Sequence, residues 1–578
     1  MVGNMEWGSD VVVELMKQYE IEYAPTNLGA TFRGLLDSLI NYGDNKTPEI
    51  IECLHEEIAV SIAAGYGKMT GKPAAALVHN VVGTMHATMA IYDAYVSKTP
   101  MIVMSGTGPM SMDGRRPWID WVHTALVQGN LVRDYVKWDD QPHDTFSVPQ
   151  SFIRAYRVAM TEPKGPVYIA LDAGWQEERI NREIPIPDVK KFAVPSPVQG
   201  DPTALAETAK LLAGASAPLI IVGRVGRVES AVADLIKLAE TGGIKVIDGG
   251  GAMNFPNTHP LDATGTQALE QADVVVLLDV DQPELATTVW NRYDRKITNR
   301  MKDDAKLVNI GLSDLWIRST VLDFGKLIPA EFTVSADTSV AIPELTRLLA
   351  VEMTSKGSVV AERIAEGRTA KDAALERAQA QAAEHINDKP IPLSSIAVAL
   401  WENIKADDNW VFAGALEGWN RRLWDIERPG SILGGGGAAA LGTGLPRAVG
   451  AALAVKKSGG YVVAIEGDGD MMYVPGTIWT AVHHNLATLV IVRDNDGYKG
   501  EGDHVSWTSE FRDRSTALKH VATKVTNPNI DYAAIARAQG AYAEGPIDDP
   551  AELSAAIARA LKVVKEQKTL ALITVRSD

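Results

Sequence analysis

The chain has 578 residues, 46% of them hydrophobic, and its mean hydropathy is close to zero. This length allows roughly three to five globular domains. Its 56 Lys and Arg against 73 Asp and Glu leave a net charge of −17, which repels phosphate backbones and anionic lipid, so neither nucleic acid nor a membrane is an expected partner.

The start of the chain and its cysteine content both predict a cytoplasmic protein. The sequence "MVGNMEWGSD" lacks the basic start and apolar centre of a signal peptide, and no uncharged apolar stretch approaches the ~20 residues of a membrane-spanning helix. The single cysteine, Cys53, excludes a disulfide within the chain and a cysteine metal cluster. We expect it to be a buried, unreactive thiol.

Short apolar runs rich in Val and Ile alternate with helical patterns along the chain. They predict strands at 74–79, 101–106, 167–172, 219–223, 274–280, 462–469 and 488–494. Strands that are apolar on both faces and separated by helices indicate parallel α/β sheets. Proline- and charge-rich stretches at 184–203 and 355–394 are predicted linkers. The sequence therefore predicts an α/β protein with three doubly wound parallel-sheet domains, at residues 1–185, 200–352 and 390–578.

Near the N-terminus, "EIIECLHEEIAVSIAAGYGKMTGKP" at 49–73 combines an apolar run, two acids, a helical pattern and a glycine stop at Gly71. Glu56 lies at the turn from strand to helix, and Glu57 is a first-turn acid that the helix dipole favours. Both acids could also serve only to stabilise the start of the helix.

The strand at 74–79 ends on His79, at the edge where open α/β sheets bind ligands. An imidazole there could relay protons, or its ring could simply be satisfied by a backbone carbonyl. Further along, His123 and Thr124 follow Trp118 and Trp121, which are either packed or face a substrate.

In the last third of the chain, "EGDGDMMYVPGTIWTAVHHNLATLVIVRDNDGY" at 466–498 places Asp468 and Asn495 27 residues apart, at the ends of two predicted strands. Because both strands end at the same edge of a parallel sheet, the two side chains should meet. Hard oxygen ligands beside the exposed amides of Gly467 and Gly469 suit a Mg²⁺ that holds a diphosphate. The alternative is a pair of ordinary polar turns.

This pattern, GDG followed after about 25 to 30 residues by an asparagine, resembles the signature of the thiamine diphosphate-dependent enzymes. The resemblance implies that Asp468, the side-chain oxygen of Asn495 and the carbonyl of Gly497 ligate Mg²⁺. Gly467, Gly469 and Asp470 would then lie against the cofactor. Two acids depart from the family pattern: Asp494 replaces the first of two asparagines, and Asp470 replaces a small residue.

The same resemblance assigns the other cofactor contacts. Glu56 would hydrogen-bond N1′ of the aminopyrimidine and so activate the cofactor. Leu441, in "GGGGAAALGTGLP" at 434–446, would support its bent shape, and Gly414, in "FAGALEGWN" at 412–420, would contact it through the backbone. The implied order is a pyrimidine-binding, a central and a diphosphate-binding domain. Sites shared between subunits imply a homodimer at least, and a homotetramer is the expected form.

Within the family, "LVHNVVGT" at 77–84 is most similar to the benzoylformate decarboxylase branch, which supports His79 as a proton carrier, although Ala30 replaces a serine of that branch. His123 lies near the position from which acetolactate synthase-like members present a glutamine. His483 and His484 are adjacent in a predicted helix and point in different directions, so we expect them to be structural.

The resemblance therefore implies a thiamine diphosphate- and Mg²⁺-dependent C–C lyase that acts on a small carbonyl substrate, as a 2-oxoacid decarboxylase or carboligase. Catalytic roles fall to Glu56, His79 and His123. Three alternatives stay open: an oxidase or synthase-like enzyme that contains flavin (FAD), although no decisive flavin motif is present; an enzyme that cleaves diketones or acyloins; and a non-catalytic relative that binds the cofactor. Retention of Glu56, Asp468 and Asn495 together argues against the last.

Overall fold

The computed structural model describes residues 5–316, 326–414, 420–435 and 437–578. Three parallel sheets with flanking helices follow one another along the chain. They confirm the predicted α/β class and the three sheet-containing units. Each sheet falls within one of the three predicted domain ranges.

The N-terminal sheet has six parallel strands in the order β2-β1-β3-β4-β6-β5. Its central strands are buried on both faces, which explains their continuous apolar sequences. The strands are β1 (Tyr23–Asn27), β2 (Glu49–Glu52), β3 (Ala75–Val78), β4 (Met101–Thr107), β5 (Asp139–Asp140) and β6 (Pro166–Asp172). The helices are α1 (Gly8–Gln18), α2 (Arg33–Asp37), α3 (Glu56–Thr70), α4 (Val81–Val96), α5 (Ile119–Val122), α6 (Val148–Met160) and α7 (Ala173–Gln176).

The central sheet has five parallel strands, and a separate antiparallel hairpin projects from the same unit. The sheet order is β13-β12-β9-β7-β8. The strands are β7 (Pro218–Val222), β8 (Lys245–Asp248), β9 (Val274–Leu278), the hairpin strands β10 (Thr288–Trp290) and β11 (Ile297–Asn299), β12 (Lys306–Gly311) and β13 (Phe332–Ser335). The helices are α8 (Pro202–Gly214), α9 (Glu229–Gly242), α10 (Ala268–Gln271), α11 (Pro283–Thr287), α12 (Ser313–Trp316) and α13 (Thr338–Glu352).

The second predicted linker consists mainly of one helix, α14 (Gly357–Glu384), which is 28 residues long. One of its faces is buried through the small residues Gly367, Ala374, Ala378 and Ala382 and through Arg363. Neither α14 nor any other helix in the described residues is both long and apolar enough to cross a membrane.

The C-terminal sheet has five parallel strands in the order β14-β15-β16-β18-β17. They are β14 (Trp410–Gly414), β15 (Tyr461–Gly467), β16 (Thr488–Asp494), β17 (Tyr542–Ile547) and β18 (Leu570–Arg576). The helices are α15 (Leu393–Ile404), α16 (Gly444–Val455), α17 (Asp468–Met471), α18 (Thr477–His483), α19 (Lys499–Phe511), α20 (Tyr532–Ala538) and α21 (Pro550–Gln567).

The N-terminal and C-terminal units pack against each other along α3 and α16. A Cβ atom at Gly65 would lie 2.1 Å from the Arg447 carbonyl oxygen, and one at Gly450 would lie 2.1 Å from the Ile62 carbonyl oxygen. The two backbones therefore touch, which only glycine permits. One apolar cluster runs through this contact and includes buried residues of both units.

The buried thiol agrees with its sequence prediction. Cys53 is 3% exposed, between β2 and α3. Burial raises its pKa to about 12, so the reactive thiolate is suppressed at neutral pH.

Candidate cofactor and active site

The carboxyl ends of β15 and β16 form the first half of the site. The two strands are parallel neighbours, with Gly467 opposite Arg493, so the turns that follow them lie side by side. Asp468 is 1% exposed. Its Oδ1 accepts the backbone N–H of Gly469 and its Oδ2 accepts that of Gly497, both at 2.8 Å. The predicted meeting of these two turns is therefore present in the fold.

Three oxygen atoms converge at this edge. The side-chain oxygen of Asn495 faces the Gly497 carbonyl oxygen at 2.9 Å and Asp468 Oδ1 at 3.3 Å. Oxygens this close repel unless a hydrogen or a cation lies between them. Turning the Asn495 amide over would supply N–H donors, and a divalent cation would use the oxygens as they stand. The three predicted ligands are thus brought together in an arrangement that fits a hard cation.

Glycine is required at two positions of these turns. Gly497 has φ +127°, and a Cβ atom there would lie 2.4 Å from the Thr523 carbonyl oxygen. At Gly469 a Cβ atom would lie 2.6 Å from the Tyr498 ring. At Gly467 the nearest atom would be 3.8 Å away, so space remains for a ligand beside that residue.

The acids around the metal turn differ in how their charge is balanced. Burial raises the pKa of Asp468 to about 6, with Asp494 adding to the effect, and a bound cation would oppose that shift. Asp494, one of the two departures from the family pattern, forms an ion pair with Arg576 at 2.9 Å. Its charge is therefore compensated within the protein.

Asp470, the other departure, connects the GDG turn to the loop that carries Leu441. Its Oδ1 accepts the backbone N–H of Gly442 in a short hydrogen bond. Leu441 is 43% exposed, so its side chain is available to support a ligand. The neighbouring Glu466 is fully buried, its Oε1 has no hydrogen-bond partner, and burial raises its pKa well above the usual range.

Glu56 is the first residue of α3, and its side chain is only 9% exposed. The preceding His55 caps this helix, because its Nδ1 accepts the backbone N–H of Glu57 at 3.1 Å. Glu56 Oε2 is 3.1 Å from Nδ1 of His86, on α4. Helix α3 ends as predicted at Gly71, which adopts φ +66°.

Glu56 and His79 lie on either side of Gly83. A Cβ atom at Gly83 would be 2.8 Å from Glu56 Oε1 and 2.9 Å from the Cβ of His79. His79 directly follows β3, and its Nε2 is 3.1 Å from Nδ2 of Asn80. Burial, aided by the nearby His123, lowers the pKa of His79, so the ring is neutral at pH 7 and can accept a proton.

His123 completes the predicted catalytic group. Its ring lies edge-on to that of His79, with centroids 5.1 Å apart. His123 Nδ1 and the Thr124 hydroxyl are buried without hydrogen-bond partners, so both are available to a ligand. Trp118 and Trp121 are 71% and 81% exposed, which argues against a packing role for them in this chain.

The start of α3 approaches the loop that carries Leu441 within one chain. A Cβ atom at Gly442 would lie 3.0 Å from Glu57 Oε1. Burial raises the pKa of Glu57, and the charge of Asp470 adds to the shift. The sharing of a site between two chains stays a prediction.

The remaining predicted residues have simpler surroundings. Gly414 ends the buried strand β14, whereas residues 415–419 of the same motif lie outside the described residues. Ala30 is exposed and follows Gly29, whose backbone abuts the His79 ring. His484 has a structural contact, as expected, since its Nε2 accepts the backbone N–H of Glu52 at 2.8 Å.

Sequence reasoning did not find three residues that organise the site. His86 contacts Glu56, although it lies 30 residues away on another helix. Asp93 of α4 forms a buried ion pair with Arg447 of α16 at 3.1 Å and also accepts the N–H of Ala438. These contacts depend on how separate helices pack, and no spacing in the sequence signals them.

Family models match all three units of the chain. The N-terminal TPP binding domain of the thiamine pyrophosphate enzymes matches residues 6–131, their central domain matches 205–338, and their C-terminal TPP binding domain matches 413–575. The chain belongs to the thiamine pyrophosphate enzyme family. Within it, the chain is a thiamine pyrophosphate-dependent enzyme of the acetolactate synthase and decarboxylase group.

Curated relatives of this family share about a quarter of their residues with the chain. The probable acetolactate synthase large subunit of Methanococcus aeolicus is 23% identical, over 76% of this chain and 73% of that protein. The acetolactate synthase of Bacillus subtilis is 22% identical, over 95% and 93%. The oxalyl-CoA decarboxylase of Escherichia coli K12 is 24% identical, over 86% and 85%.

Solved structures of thiamine pyrophosphate enzymes share the fold. The benzoylformate decarboxylase from Polynucleobacter necessarius aligns with a TM-score of 0.77 and 21% identity, and the 4-hydroxybenzoylformate decarboxylase of Rhodococcus jostii with 0.74 and 18%. Each alignment covers 99% of both chains. At this identity the likeness establishes the fold alone.

Proposed function

We propose that the protein is a thiamine diphosphate- and Mg²⁺-dependent C–C lyase that acts on 2-oxoacids, as a decarboxylase or a carboligase. The proposal is supported chiefly by the convergence of three oxygens, from Asp468, Asn495 and Gly497, in the unit that matches the C-terminal cofactor-binding domain. These residues would hold Mg²⁺, and the Mg²⁺ would hold the diphosphate.

When bound, thiamine diphosphate supplies an electron sink for the bond beside a carbonyl carbon. The chain supplies the proton chemistry around it. Glu56 Oε2 contacts His86, so Oε1 is the oxygen positioned to hold a proton at a cofactor ring nitrogen. A buried carboxylate in this position is suited to general acid–base work.

The two histidines would serve the substrate. The neutral ring of His79 can accept a proton at pH 7 and return it to the product. His123 Nδ1 and the Thr124 hydroxyl have no partner within the protein, so they can bind a polar group of the substrate. The exposed Trp118 and Trp121 lie on the same segment and offer apolar area to a larger acid.

The test is carbon dioxide release from the purified protein with thiamine diphosphate and Mg²⁺, measured over pyruvate, branched 2-oxoacids and benzoylformate. We expect Glu56→Gln to keep the fold and metal binding but to lower turnover by at least ~100-fold, the contribution of a general acid–base group. Glu52→Gln is the matched control, because Glu52 has a 63% exposed side chain a few residues earlier.

Three outcomes decide the proposal. Carbon dioxide release that is lost in Glu56→Gln would support decarboxylation. The preferred 2-oxoacid would then show whether the enzyme resembles the benzoylformate decarboxylases or the acetolactate synthases in its substrate. Unchanged turnover in Glu56→Gln would end the proposed role of Glu56. No release from any acid, with cofactor binding demonstrated, would replace the 2-oxoacid proposal with a lyase that cleaves diketones or acyloins.

A further inference from the structure

Two histidines stand beside the predicted cofactor-activating glutamate. One ligand atom from each of His55, Glu56 and His86 lies within 4.8 Å of the other two. Glu56 Oε2 and His86 Nδ1 are 3.1 Å apart, close to the roughly 3.4 Å between ligand atoms in a tetrahedral zinc site. We propose that His55, Glu56 and His86 bind a transition-metal ion such as Zn²⁺ in the cofactor-free protein, and that this ion and thiamine diphosphate exclude each other.

The donor set favours a transition metal over Mg²⁺. Two imidazoles and one carboxylate are the ligands of open zinc sites, which keep a fourth position for water. Imidazole suits Zn²⁺, whereas the oxygen ligands at Asp468 and Asn495 suit Mg²⁺. The two donor sets therefore select different metal ions.

Access and protonation also favour binding. The His86 side chain is 58% exposed, which gives an ion a path from solvent to the buried Glu56. Neutral imidazole is the form that ligates metals, and it predominates at pH 7 for a histidine of ordinary pKa. The His55 and His86 rings are stacked, with centroids 4.9 Å apart and planes at 19°, so one ring must turn for both to ligate a single ion.

Binding replaces two hydrogen bonds. A neutral imidazole has one nitrogen lone pair, and in His55 it accepts the N–H of Glu57, so ligation by His55 gives up the helix cap. Ligation by His86 Nδ1 and Glu56 Oε2 gives up the hydrogen bond between them. Three metal–ligand bonds, one at each residue, replace these two hydrogen bonds.

The exclusion rests on the proposed function, whereas zinc binding itself does not. Zn²⁺ on Oε2 would withdraw negative charge from the carboxylate, so Oε1 could no longer hold the proton shared with the aminopyrimidine nitrogen. By linkage, thiamine diphosphate must weaken Zn²⁺ binding by the same factor by which Zn²⁺ weakens cofactor binding.

The experiment is calorimetric titration of Zn²⁺ into the full-length, cofactor-free protein, with Mg²⁺ in about hundredfold excess to fill the oxygen site. We expect one Zn²⁺ per chain and an affinity at least tenfold lower in His86→Asn and in His55→Asn; asparagine at position 55 keeps a helix cap. His385→Asn is the control, because His385 pairs with Asp388 at 2.8 Å on the surface without a third ligand. Asp468→Asn should also leave Zn²⁺ binding unchanged.

A second titration is run with thiamine diphosphate present, and cofactor binding is followed separately by tryptophan fluorescence. The Zn²⁺ affinity, corrected for chelation of Zn²⁺ by free thiamine diphosphate, should fall as the cofactor concentration rises. Undiminished Zn²⁺ binding in both His86→Asn and His55→Asn would overturn the site. If the Zn²⁺ affinity is the same with and without bound thiamine diphosphate, the proposed exclusion is wrong. A protein that binds no cofactor would refute the proposed function, and the histidine variants alone would then decide the zinc site.

Discussion

The two halves of the site are built in different ways. In the C-terminal unit, the turns after two adjacent strands, β15 and β16, are joined by the hydrogen bond from the Gly497 N–H to the Asp468 carboxylate. The N-terminal face brings Glu56 and His86 together from two helices, and His79 and His123 from the segments that follow β3 and α5. Residues placed by neighbouring strand ends should keep their positions when distant side chains are substituted. Residues placed by helix packing should move when the packing between the helices changes.

The strongest test of this contrast is Gly450→Ala at the contact of α3 with α16. The added methyl group would lie 2.1 Å from the Ile62 carbonyl oxygen, so the helices must separate. We expect the free energy of unfolding to fall by about 3 kcal/mol, measured by urea titration. Gly500→Ala is the control, since nothing lies within 4 Å of its added atom and α19 should gain slightly. Equal stabilities of the two variants would contradict the close contact.

Asp468→Asn tests the predicted Mg²⁺ ligands Asp468, Asn495 and Gly497 directly. The variant removes a charged ligand and keeps one side-chain oxygen, so only one of the N–H groups of Gly469 and Gly497 keeps its acceptor. We expect the affinity for thiamine diphosphate with Mg²⁺ to fall by about 100-fold, followed by tryptophan fluorescence. Asp496→Asn is the comparison, because Asp496 pairs with Arg576 outside the predicted ligand set. A similar loss in both variants would mean that local charge matters more than ligation.

The pH profile of turnover examines the N-terminal face. The pKa of His79 lies below its ordinary value of 6.5, because burial and His123 lower it while Glu56 opposes the shift. Activity that needs the neutral ring should be full above pH 6.5 and fade as the pH falls through the lowered pKa. His123→Asn should move this limb to higher pH, by less than about one unit. If the acidic limb of the pH profile stays in place in His123→Asn, His123 does not influence the pKa of His79.

The smallest expected effect concerns a contact between the two units. Burial lowers the pKa of His484 to about 4, so between pH 6.5 and 4 the unfolded chain binds the extra proton and the folded state loses stability. Because the ring is partly exposed, we expect a loss of about 1 kcal/mol between pH 7 and pH 5. His484→Gln should reduce that loss, and His483→Gln, at a 50% exposed neighbour, should not. Urea unfolding at both pH values measures the difference.

The parts that could be predicted from the sequence are those that depend on local order. The strand β16 has the bounds predicted for it, and the spacing from Asp468 to Asn495 placed two turns that touch in the structure. Parallel strands make this possible, since neighbouring carboxyl ends share one edge.

The rest required tertiary structure. His86 meets Glu56 only because α4 packs against α3, and the Arg447–Asp93 pair forms only because α16 comes within reach of α4. No periodicity within one segment encodes the distance between two helices. Residues found by motif are therefore those of one turn or one strand end, and residues missed are those that hold different segments together.

The backbone contact at Gly65 fixes how α3 can tilt against α16. No side chain lies between the two helices there to adjust its rotamer, so α3 would pivot about this contact. Glu56 lies nine residues along the same helix, about 13 Å away at 1.5 Å per residue. A rotation of α3 by about one degree about the Gly65 contact would displace Glu56 by about 0.2 Å, perpendicular to the helix axis. The position of the Glu56 carboxylate therefore depends on the contact between Gly65 and Gly450.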